Sequence, residues 1–270
     1  MLLSNKRIAF LGCGNMVQAL FPRWHELDSS AQFYTYTPTH TKALEFAHLI
    51  GGKAVKSLFD LPPCDIYIFG FKPQTLHKVF ADFKPTNKDA VVVSLLAAVT
   101  FEELEQASGL KSLIRLMPNT PSLVGEGIMG MCSKNIPATV SSYFDHVFSG
   151  LSHLVELESE DALDTITPYS GSGPAYFFEI ARIMANDLIE KGIEPIVARK
   201  LVAQTLYGAG KMLVEAKEPP AKLRDNVTSK GGVTAAVLNS FKDQALEKIF
   251  VEAIGAGHKR LHELKHNSKE

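Results

Sequence analysis

The chain has 270 residues, of which 46% are hydrophobic and 21% are charged, and its formal net charge is −1. This composition is typical of a soluble globular protein with one large or two moderate domains, and the near-zero charge argues against a general nucleic-acid binder. The N-terminal residues do not resemble a signal peptide, and the longest apolar runs are too short to cross a bilayer. Three widely spaced cysteines, Cys13, Cys64 and Cys132, predict reduced thiols, no metal site and a cytoplasmic location.

The first predicted elements are a buried strand, a glycine turn and the start of a helix, all between Arg7 and Leu20. Gly12 permits a tight turn, Gly14 lets a pyrophosphate approach the backbone, and the free N–H groups of the helix would face the phosphates. The third small residue of this dinucleotide fingerprint is replaced by the bulkier Val17. Its place on the first strand of a βαβ pattern favours nucleotide binding over the alternative, an ordinary strand–turn–helix corner.

The end of the second predicted strand, Phe33–Thr37, indicates which cofactor binds. A site for NAD usually has Asp or Glu there, which holds the ribose hydroxyls. This chain has no acid at the tip, where Thr37 and Thr39 precede Lys42. A 2′-phosphate is then not repelled and meets hydrogen-bond donors, so the sequence favours NADPH, with NADH as the weaker cofactor. The alternative is a plain helix N-cap followed by solvated side chains.

Further strands and helices alternate as far as residue 157. Lys72 follows one strand at its carboxyl end, where ligands bind in sheets of this kind. The small residues Ala97 and Ala98 follow the next strand and leave room for a ring, and Thr100 with Glu103 predicts a capping box. The predicted strands are 65–71, 90–96, 112–117, 128–132 and 153–157, and the predicted helices include a first one that ends near residue 27, then 41–49 and 138–148.

From about Ser159 onward the strand signals vanish and the spacing of apolar residues is helical. The predicted helices are 174–191, 195–216, 223–228 and a final group from 234 to about 264. The first of them is apolar on nearly every side around Phe177 and Phe178, so either another layer of this chain or a partner subunit must cover it.

The order of the motifs resembles pyrroline-5-carboxylate reductase, from Ile8 to about Leu238. The segments that carry the resemblance are GCGNM, FKP, SLLAAVT, RLMPNTP, YSGSGPAY and LRDNVTSKGGVT. That family makes proline, in the last step of proline biosynthesis, by reducing a cyclic imine with NADPH. The resemblance implies an α/β fold with an NADP-binding Rossmann domain, residues 1–158, followed by an all-α dimerisation and substrate domain, residues 159–270. It also implies an active site shared between the subunits of a homodimer or of a ring of dimers.

The resemblance assigns roles to residues that match the family's motifs. The cofactor-binding candidates are Gly12, Cys13, Gly14, Asn15 and Met16 at the pyrophosphate, Thr37 and Thr39 at the 2′-phosphate, Ser57 on the adenosine side, Phe71, Lys72, Pro73, Ala97 and Asn119 at the ribose and nicotinamide, and Asn226 from the second domain. The substrate-binding candidates are Gly231, Gly232, Val233 and Thr234.

The chain departs from the family pattern in three places. Val17 stands where a small residue is usual, and Leu96 and Ala98 stand where the family tends to have Ala and Gly. Lys230 replaces the proline of the Ser-Pro-Gly-Gly turn. Without that proline the substrate loop is less fixed in φ, and a cation is added beside it.

The residues themselves support a site that catalyses the reaction mainly by holding the cofactor and the substrate in position. A glycine pair that opens a helix at Thr234 presents backbone N–H groups to a carboxylate, although a tight turn with Thr234 as the N-cap needs the same residues. A protonated imine carbon is already electrophilic, so hydride transfer mainly requires the two reactants to be held together. Thr234 is the candidate for a hydrogen bond to the ring nitrogen, and Lys72 is a second catalytic candidate, with an orienting role.

Three alternatives stay open at this point. The substrate could be another cyclic imine acid, such as the six-membered homologue, because one methylene changes affinity by only about 1–3 kcal/mol. A hydroxyacid oxidoreductase of similar architecture is less favoured, since it should have a catalytic Lys on its long interdomain helix and residues 174–189 contain none. A catalytically inactive NADP-binding dimer that acts as a sensor is supported only by Lys230. The predicted partners are a small-molecule substrate and further copies of the chain, without nucleic acid or membrane.

Overall fold

The structure, a computed structural model, describes residues 5–267, apart from the side chains of residues 82, 266 and 267. It divides into two compact units. One consists of the residues up to Ser172 together with those from Gly257 onward, and the other is Gly173–Ala256. The domain boundary after residue 158 that the sequence suggests lies before this division and stays a prediction.

The first unit is built on a sheet. Its strands within the described residues are β1 (Arg7–Leu11), β2 (Gln32–Tyr36), β3 (Lys53–Ala54), β4 (Ile66–Phe69), β5 (Val91–Ser94), β6 (Ser112–Met117), β7 (Ile128–Lys134) and β8 (His153–Glu156). They are arranged in the order β3-β2-β1-β4-β5-β6-β7-β8. All neighbours are parallel except β6 and β7. From β1 the chain adds β2 and β3 on one side, and then β4 and β5 on the other side. The border between β1 and β4 is therefore the topological switch point, where α/β sheets bind ligands.

Helices connect the strands and cover both faces of the sheet. They are α1 (Asn15–Leu20), α2 (Trp24–Leu27), α3 (His40–Leu49), α4 (Leu76–Asp82), α5 (Phe101–Ser108), α6 (Ala138–Leu151) and α7 (Glu160–Ile166). Ile8 and Phe10 of β1 belong to one buried cluster, and Ala9 and Leu11 belong to the other. Because successive side chains of a strand point to opposite faces, β1 is buried on both faces of the sheet. The prediction of a buried strand here is confirmed, as is the Rossmann-like fold class.

Two local expectations have different outcomes. The capping box at Thr100 is confirmed, because Thr100 Oγ1 accepts the N–H of Glu103 at 3.2 Å and Glu103 Oε2 accepts the N–H of Thr100 at 2.7 Å. A single first helix that continues to residue 27 is wrong, since α1 ends at Leu20 and α2 begins at Trp24. Pro22 lies in the gap, where it lacks an N–H to donate and its ring disfavours the helical conformation of the residue before it.

The second unit is helical, as predicted. It contains α8 (Gly173–Glu190), α9 (Pro195–Glu215), α10 (Pro220–Asn226), α11 (Val233–Asp243) and the first half of α12 (Leu246–Asn267). Phe177 and Phe178 of α8 are exposed within the single chain, as are many apolar side chains of α9. None of the helices within residues 5–267 combines the length and the apolar character that crossing a bilayer requires.

Candidate functional site

The glycine turn after β1 lies against the end of β4. Gly12 has a φ of +95°, and a Cβ at this position would lie 2.5 Å from Phe71 N and 2.6 Å from the carbonyl carbon of Gly70. The N–H of Gly12 donates to the carbonyl oxygen of Tyr36 at 2.8 Å, which joins the turn to β2. Only glycine satisfies both the left-handed φ and the close approach, so the turn packs directly against the end of β4 at the switch point.

The residues after Gly12 differ in what they can offer a ligand. Gly14 is the N-cap of α1, and Asn15 and Met16 form its first turn, with Asn15 exposed and Met16 half-buried. The side chain of Cys13 is buried in the core, and burial raises the pKa of its thiol to about 12. Its contribution to cofactor binding is therefore limited to the backbone, whereas the backbone and the exposed side chains of its neighbours are available.

The tip of β2 leads into the N-terminus of α3. Thr37 is buried, and its hydroxyl donates to the carbonyl oxygen of Thr39. Thr39 is exposed and is the N-cap of α3, but its side chain makes no capping hydrogen bond. The free hydroxyl of Thr39 and the first N–H groups of α3 thus form the polar surface that the sequence assigns to a 2′-phosphate, while Thr37 holds the loop in place.

A cavity of about 310 Å³ lies between the ends of β1 and β2 and the segments that precede and follow β4. Of the predicted residues it contains Gly12, Ser57 and Phe71. Ser57 begins the 3₁₀ turn Leu58–Asp60, where its hydroxyl accepts the N–H of Phe59 at 3.2 Å. The other lining residues are Leu11, Tyr36, Pro38, Leu58, Phe59, Thr75, Lys78, Val79 and Phe83. This largely apolar space beside the tip of β2 has the character of a site for an aromatic base.

A second cavity, of about 250 Å³, lies on the other side of the switch point. It contains the predicted residues Pro73 and Ala97. Lys72 is exposed and is the N-cap of the 3₁₀ turn Pro73–Thr75, so its ammonium group is solvated. Ala98, in the same loop as Ala97, has a φ of +63°, the conformation that glycine adopts at least cost.

Asn119 is buried, and both polar atoms of its side-chain amide form hydrogen bonds within the protein. Its Oδ1 accepts the N–H of Ile128 at 3.0 Å, and its Nδ2 donates to the carbonyl oxygen of Ser170 at 3.2 Å. Ser170 lies in a π-helical turn, Thr167–Gly171. Asn119 thus connects the turn after β6 to β7 and to this π-helical turn, which is a positioning role.

The remaining predicted residues lie in the second unit. Asn226 is the last residue of α10 and is exposed. Gly231 has a φ of +72°, and Gly232 is the N-cap of α11 in an extended conformation. Helix α11 therefore begins at Val233, and the alternative in which Thr234 is the N-cap is wrong because Gly232 already occupies that position. Val233 and Thr234 form the first turn.

Several residues at the site have no signal in the sequence. Tyr36, Phe59 and Thr75 line the first cavity although no motif marks them, and Arg260 of α12 lines the second. Each comes from a different element, so only the fold brings it to the site. Among the described residues no group of three or more His, Cys, Asp or Glu side chains could hold a metal ion.

The geometry at the switch point fits a dinucleotide. Gly12 lets the turn after β1 pack directly against the backbone at the end of β4, and Gly12 lines the first cavity, while the second cavity lies beside the loops after β4 and β5. The tip of β2 has hydroxyls and helix N–H groups but no carboxylate from residue 37 to residue 42. These features are suited to a dinucleotide with a phosphate on its adenosine ribose.

Two family models match the chain. Residues 7–98 match the family described as NADP oxidoreductase, coenzyme F420-dependent, and residues 160–264 match the family described as pyrroline-5-carboxylate reductase dimerisation. The boundaries of the first match enclose the glycine turn and both strand ends of the switch point. The second match contains the predicted substrate loop.

Individual proteins are similar over nearly the whole chain. The pyrroline-5-carboxylate reductase of Haemophilus influenzae is 32% identical over 259 residues, which are 94% of this chain and 96% of the relative. The enzyme of the same name from Escherichia coli is 31% identical over 92% of this chain and 94% of its own. The crystal structure of the Plasmodium falciparum pyrroline carboxylate reductase with NADP bound is 26% identical, with a TM-score of 0.83 over 97% of this chain and 99% of that one.

Proposed function

Because the chain belongs to the pyrroline-5-carboxylate reductase family, we propose that it reduces 1-pyrroline-5-carboxylate to L-proline with NADPH. It is an NADP-dependent oxidoreductase that acts on a C=N bond. The observation that carries the proposal is the identity with named reductases over almost the entire length of both chains. The tight glycine turn after the first strand, at the switch point of the sheet, supports it independently, since dinucleotides bind at such turns.

The cofactor is held mainly by backbone groups and small side chains. NADPH, when bound, supplies a hydride to the imine carbon, and the protonated ring nitrogen becomes the secondary amine of L-proline. Gly12, Gly14 and the first turn of α1 hold the pyrophosphate, with Thr39 at the 2′-phosphate. The other residues assigned to contacts with the cofactor are Asn15, Met16, Ser57, Phe71, Lys72, Pro73, Ala97 and Asn226, together with the backbone of Cys13. Thr37 and Asn119 act as positioning residues of the cofactor site, because their side chains are bonded within the protein.

The substrate is held by the loop before α11. The N–H groups of Gly231, Val233 and Thr234 bind its carboxylate, because the start of a helix presents unsatisfied donors and a positive dipole end. The N–H of Gly232 already donates to the carbonyl oxygen of Ser229 at 3.0 Å, so Gly232 contributes by the shape that it gives to the loop. The hydroxyl of Thr234 accepts a hydrogen bond from the protonated ring nitrogen and so helps to keep the proton there. Lys72 orients polar groups near the cofactor and is not required to transfer a proton.

The helical unit makes the functional protein a homodimer. Phe177 and Phe178 of α8 and the apolar side chains of α9 are exposed in the single chain, an arrangement that marks a protein–protein interface. A second copy covers this surface. The buried, unpaired cysteines favour a reducing compartment, so the enzyme acts in the cytoplasm, in proline biosynthesis.

The test is the loss of NADPH absorbance when the purified protein is mixed with NADPH and 1-pyrroline-5-carboxylate. We expect turnover with this imine, faster with NADPH than with NADH. The Thr234→Val variant tests the role assigned to the hydroxyl, since it keeps the shape of the side chain but removes the hydroxyl. It should lower kcat/KM by about tenfold, the value of one hydrogen bond to a charged group.

Two outcomes would contradict the proposal. Reduction of the six-membered imine acid, without reduction of 1-pyrroline-5-carboxylate, would show that the substrate is the six-membered homologue. NADPH binding without turnover on either imine would favour the cofactor-binding sensor, and Lys230 would then be the first residue to replace.

A further inference from the structure

The cavity on the β5 side of the switch point contains one charged side chain, Arg260. The cavity lies between the loop after β4, the loop after β5 and the last turns of α12. Its other lining residues are Pro73, Gln74, Ala97, Ala98, Val99 and Leu264. All of them belong to the unit that contains the sheet. A guanidinium group therefore stands at the edge of an otherwise uncharged cavity, and no motif in the sequence assigns it a role.

The position of this cavity in the sheet indicates which half of the cofactor lies near it. The first cavity lies beside β2, and the cavity of Arg260 lies beside β5, on the opposite side of the switch point. A dinucleotide that crosses a switch point places its two halves on opposite sides. Because the adenosine half is assigned to the β2 side, the nicotinamide and the substrate lie on the side of Arg260.

The charge of Arg260 is available to a ligand. The side chain is 62% exposed, and within the described residues its ion-pair partner is Glu263, one turn further along α12, at 3.0 Å. An exposed ion pair of this kind contributes little to stability, so the carboxylate of a ligand can replace that of Glu263. A guanidinium group binds a carboxylate through two parallel hydrogen bonds and repels a protonated imine. It therefore distinguishes the two ends of an imine acid.

We propose that Arg260 is a specificity-determining residue that binds the carboxylate of the imine acid and thereby directs the ring with its imine carbon toward the cofactor. This inference rests on the proposed function. Arg260 is a charged side chain of the C-terminal helix, which the family motifs do not include.

The test compares two imines that differ only in the carboxylate, 1-pyrroline-5-carboxylate and 1-pyrroline. Arg260→Gln should raise the KM for the imine acid about tenfold, which is the value of a charge-assisted hydrogen bond. The KM for 1-pyrroline should not change, and Arg260→Lys should restore part of the affinity for the acid. Lys259→Gln is the matched control, since Lys259 is the adjacent exposed cation on α12 and does not line the cavity.

An unchanged KM for the acid in Arg260→Gln, or an equal rise for both imines, would overturn the inference while the activity of the wild type upholds the proposed function. An inactive wild type would instead contradict the proposed function. Calorimetric titration with L-proline in the presence of NADP⁺ gives a readout that does not depend on turnover. Arg260→Gln should weaken L-proline binding about tenfold, and equal binding by both proteins would overturn the inference.

Discussion

At the switch point the side chain of Val17 packs directly against Gly70 and fills the space that a Cβ at position 70 would need, because that Cβ would collide with Cγ2 of Val17. Val17 is buried on α1, and Gly70 directly follows β4. The dinucleotide fingerprint has a small residue at the position of Val17, which allows the helix to approach the sheet. In this chain Gly70, which has no side chain, provides the room for close packing of α1 against the sheet. The larger residue at Val17 is therefore compatible with a dinucleotide site.

Gly70→Ala should therefore lower the free energy of unfolding by about 1–3 kcal/mol, the usual cost of overpacking. The added methyl group would meet Val17 and would also lie 2.7 Å from the carbonyl oxygen of Gly12. Val17→Ala removes the first of these clashes, so the double variant should be more stable than the sum of the two single changes predicts. Urea denaturation of the four proteins measures this coupling, and strict additivity would show that the two residues do not share a space.

Ala98 provides a second stability test, because its φ of +63° is unfavourable for a residue with a Cβ. Ala98→Gly should raise the free energy of unfolding by about 0.5–1 kcal/mol, since relief of the left-handed strain outweighs the added entropy of the unfolded chain. The neighbouring Ala97→Gly has no such strain to relieve and should lower stability by about 0.5–1 kcal/mol. Thermal unfolding without cofactor measures both, and a loss of stability in Ala98→Gly would contradict the prediction.

Much of the fold could be predicted because its signals are local. The periodicity of apolar residues locates β6 at both ends, and the spacing of Thr100 and Glu103 identifies the start of α5. β3 has only two residues and is too short to produce a pattern. The end of α1 was missed because the apolar spacing continues through Pro22, although the proline interrupts the backbone hydrogen bonds.

The parts of the site that could not be predicted depend on contacts between distant segments. Gly70 lies 53 positions after Val17 (70 minus 17), and no local pattern indicates that the two residues meet. Arg260 reaches the loop of Ala97 only because the end of α12 belongs to the same compact unit as the sheet. The glycine turn itself could be predicted from the sequence, since its backbone conformation is a local property.

A buried ion cluster connects β6 to the segments that follow the sheet. Arg115 is 1% exposed. Its Nη1 donates to Oε1 of Glu160 at 2.7 Å, and its Nη2 donates to Oδ1 of Asp164 at 3.0 Å. Asp164 also forms an ion pair with Lys265 of α12. The cluster thus joins a central strand, α7 and the end of the C-terminal helix.

Arg115→Met should lower the free energy of unfolding by about 3–5 kcal/mol, because it leaves two carboxylates without their shared partner in a site largely closed to water. The matched control is Lys134→Met, whose ion pair with Glu105, at 2.8 Å, is partly exposed. Lys134→Met should lower the free energy of unfolding by less than about 1 kcal/mol. Denaturant unfolding compares the two, and a loss as small for Arg115 as for Lys134 would show that the cluster does not stabilise the fold.

The preference for NADPH can be tested at Thr39, the exposed N-cap of α3. Asp is also a good N-cap residue, so Thr39→Asp should preserve the helix while it places a negative charge beside the 2′-phosphate. We expect the affinity for NADPH to fall about tenfold relative to that for NADH. Thr39→Asn has the same shape without the charge and should retain the preference. Cofactor titrations by fluorescence measure both ratios, and an unchanged ratio in Thr39→Asp would place the 2′-phosphate elsewhere.

The measurement that tests the proposed reaction most directly is the amount of L-proline formed for each NADPH consumed by the purified protein with 1-pyrroline-5-carboxylate. Chiral amino-acid analysis of the completed mixture gives this ratio together with the configuration of the product. Hydride transfer to the imine carbon predicts equal amounts of L-proline and NADP⁺. NADPH oxidation without proline, or no oxidation at all under conditions in which NADPH binds, would contradict the assignment of this chain as a pyrroline-5-carboxylate reductase.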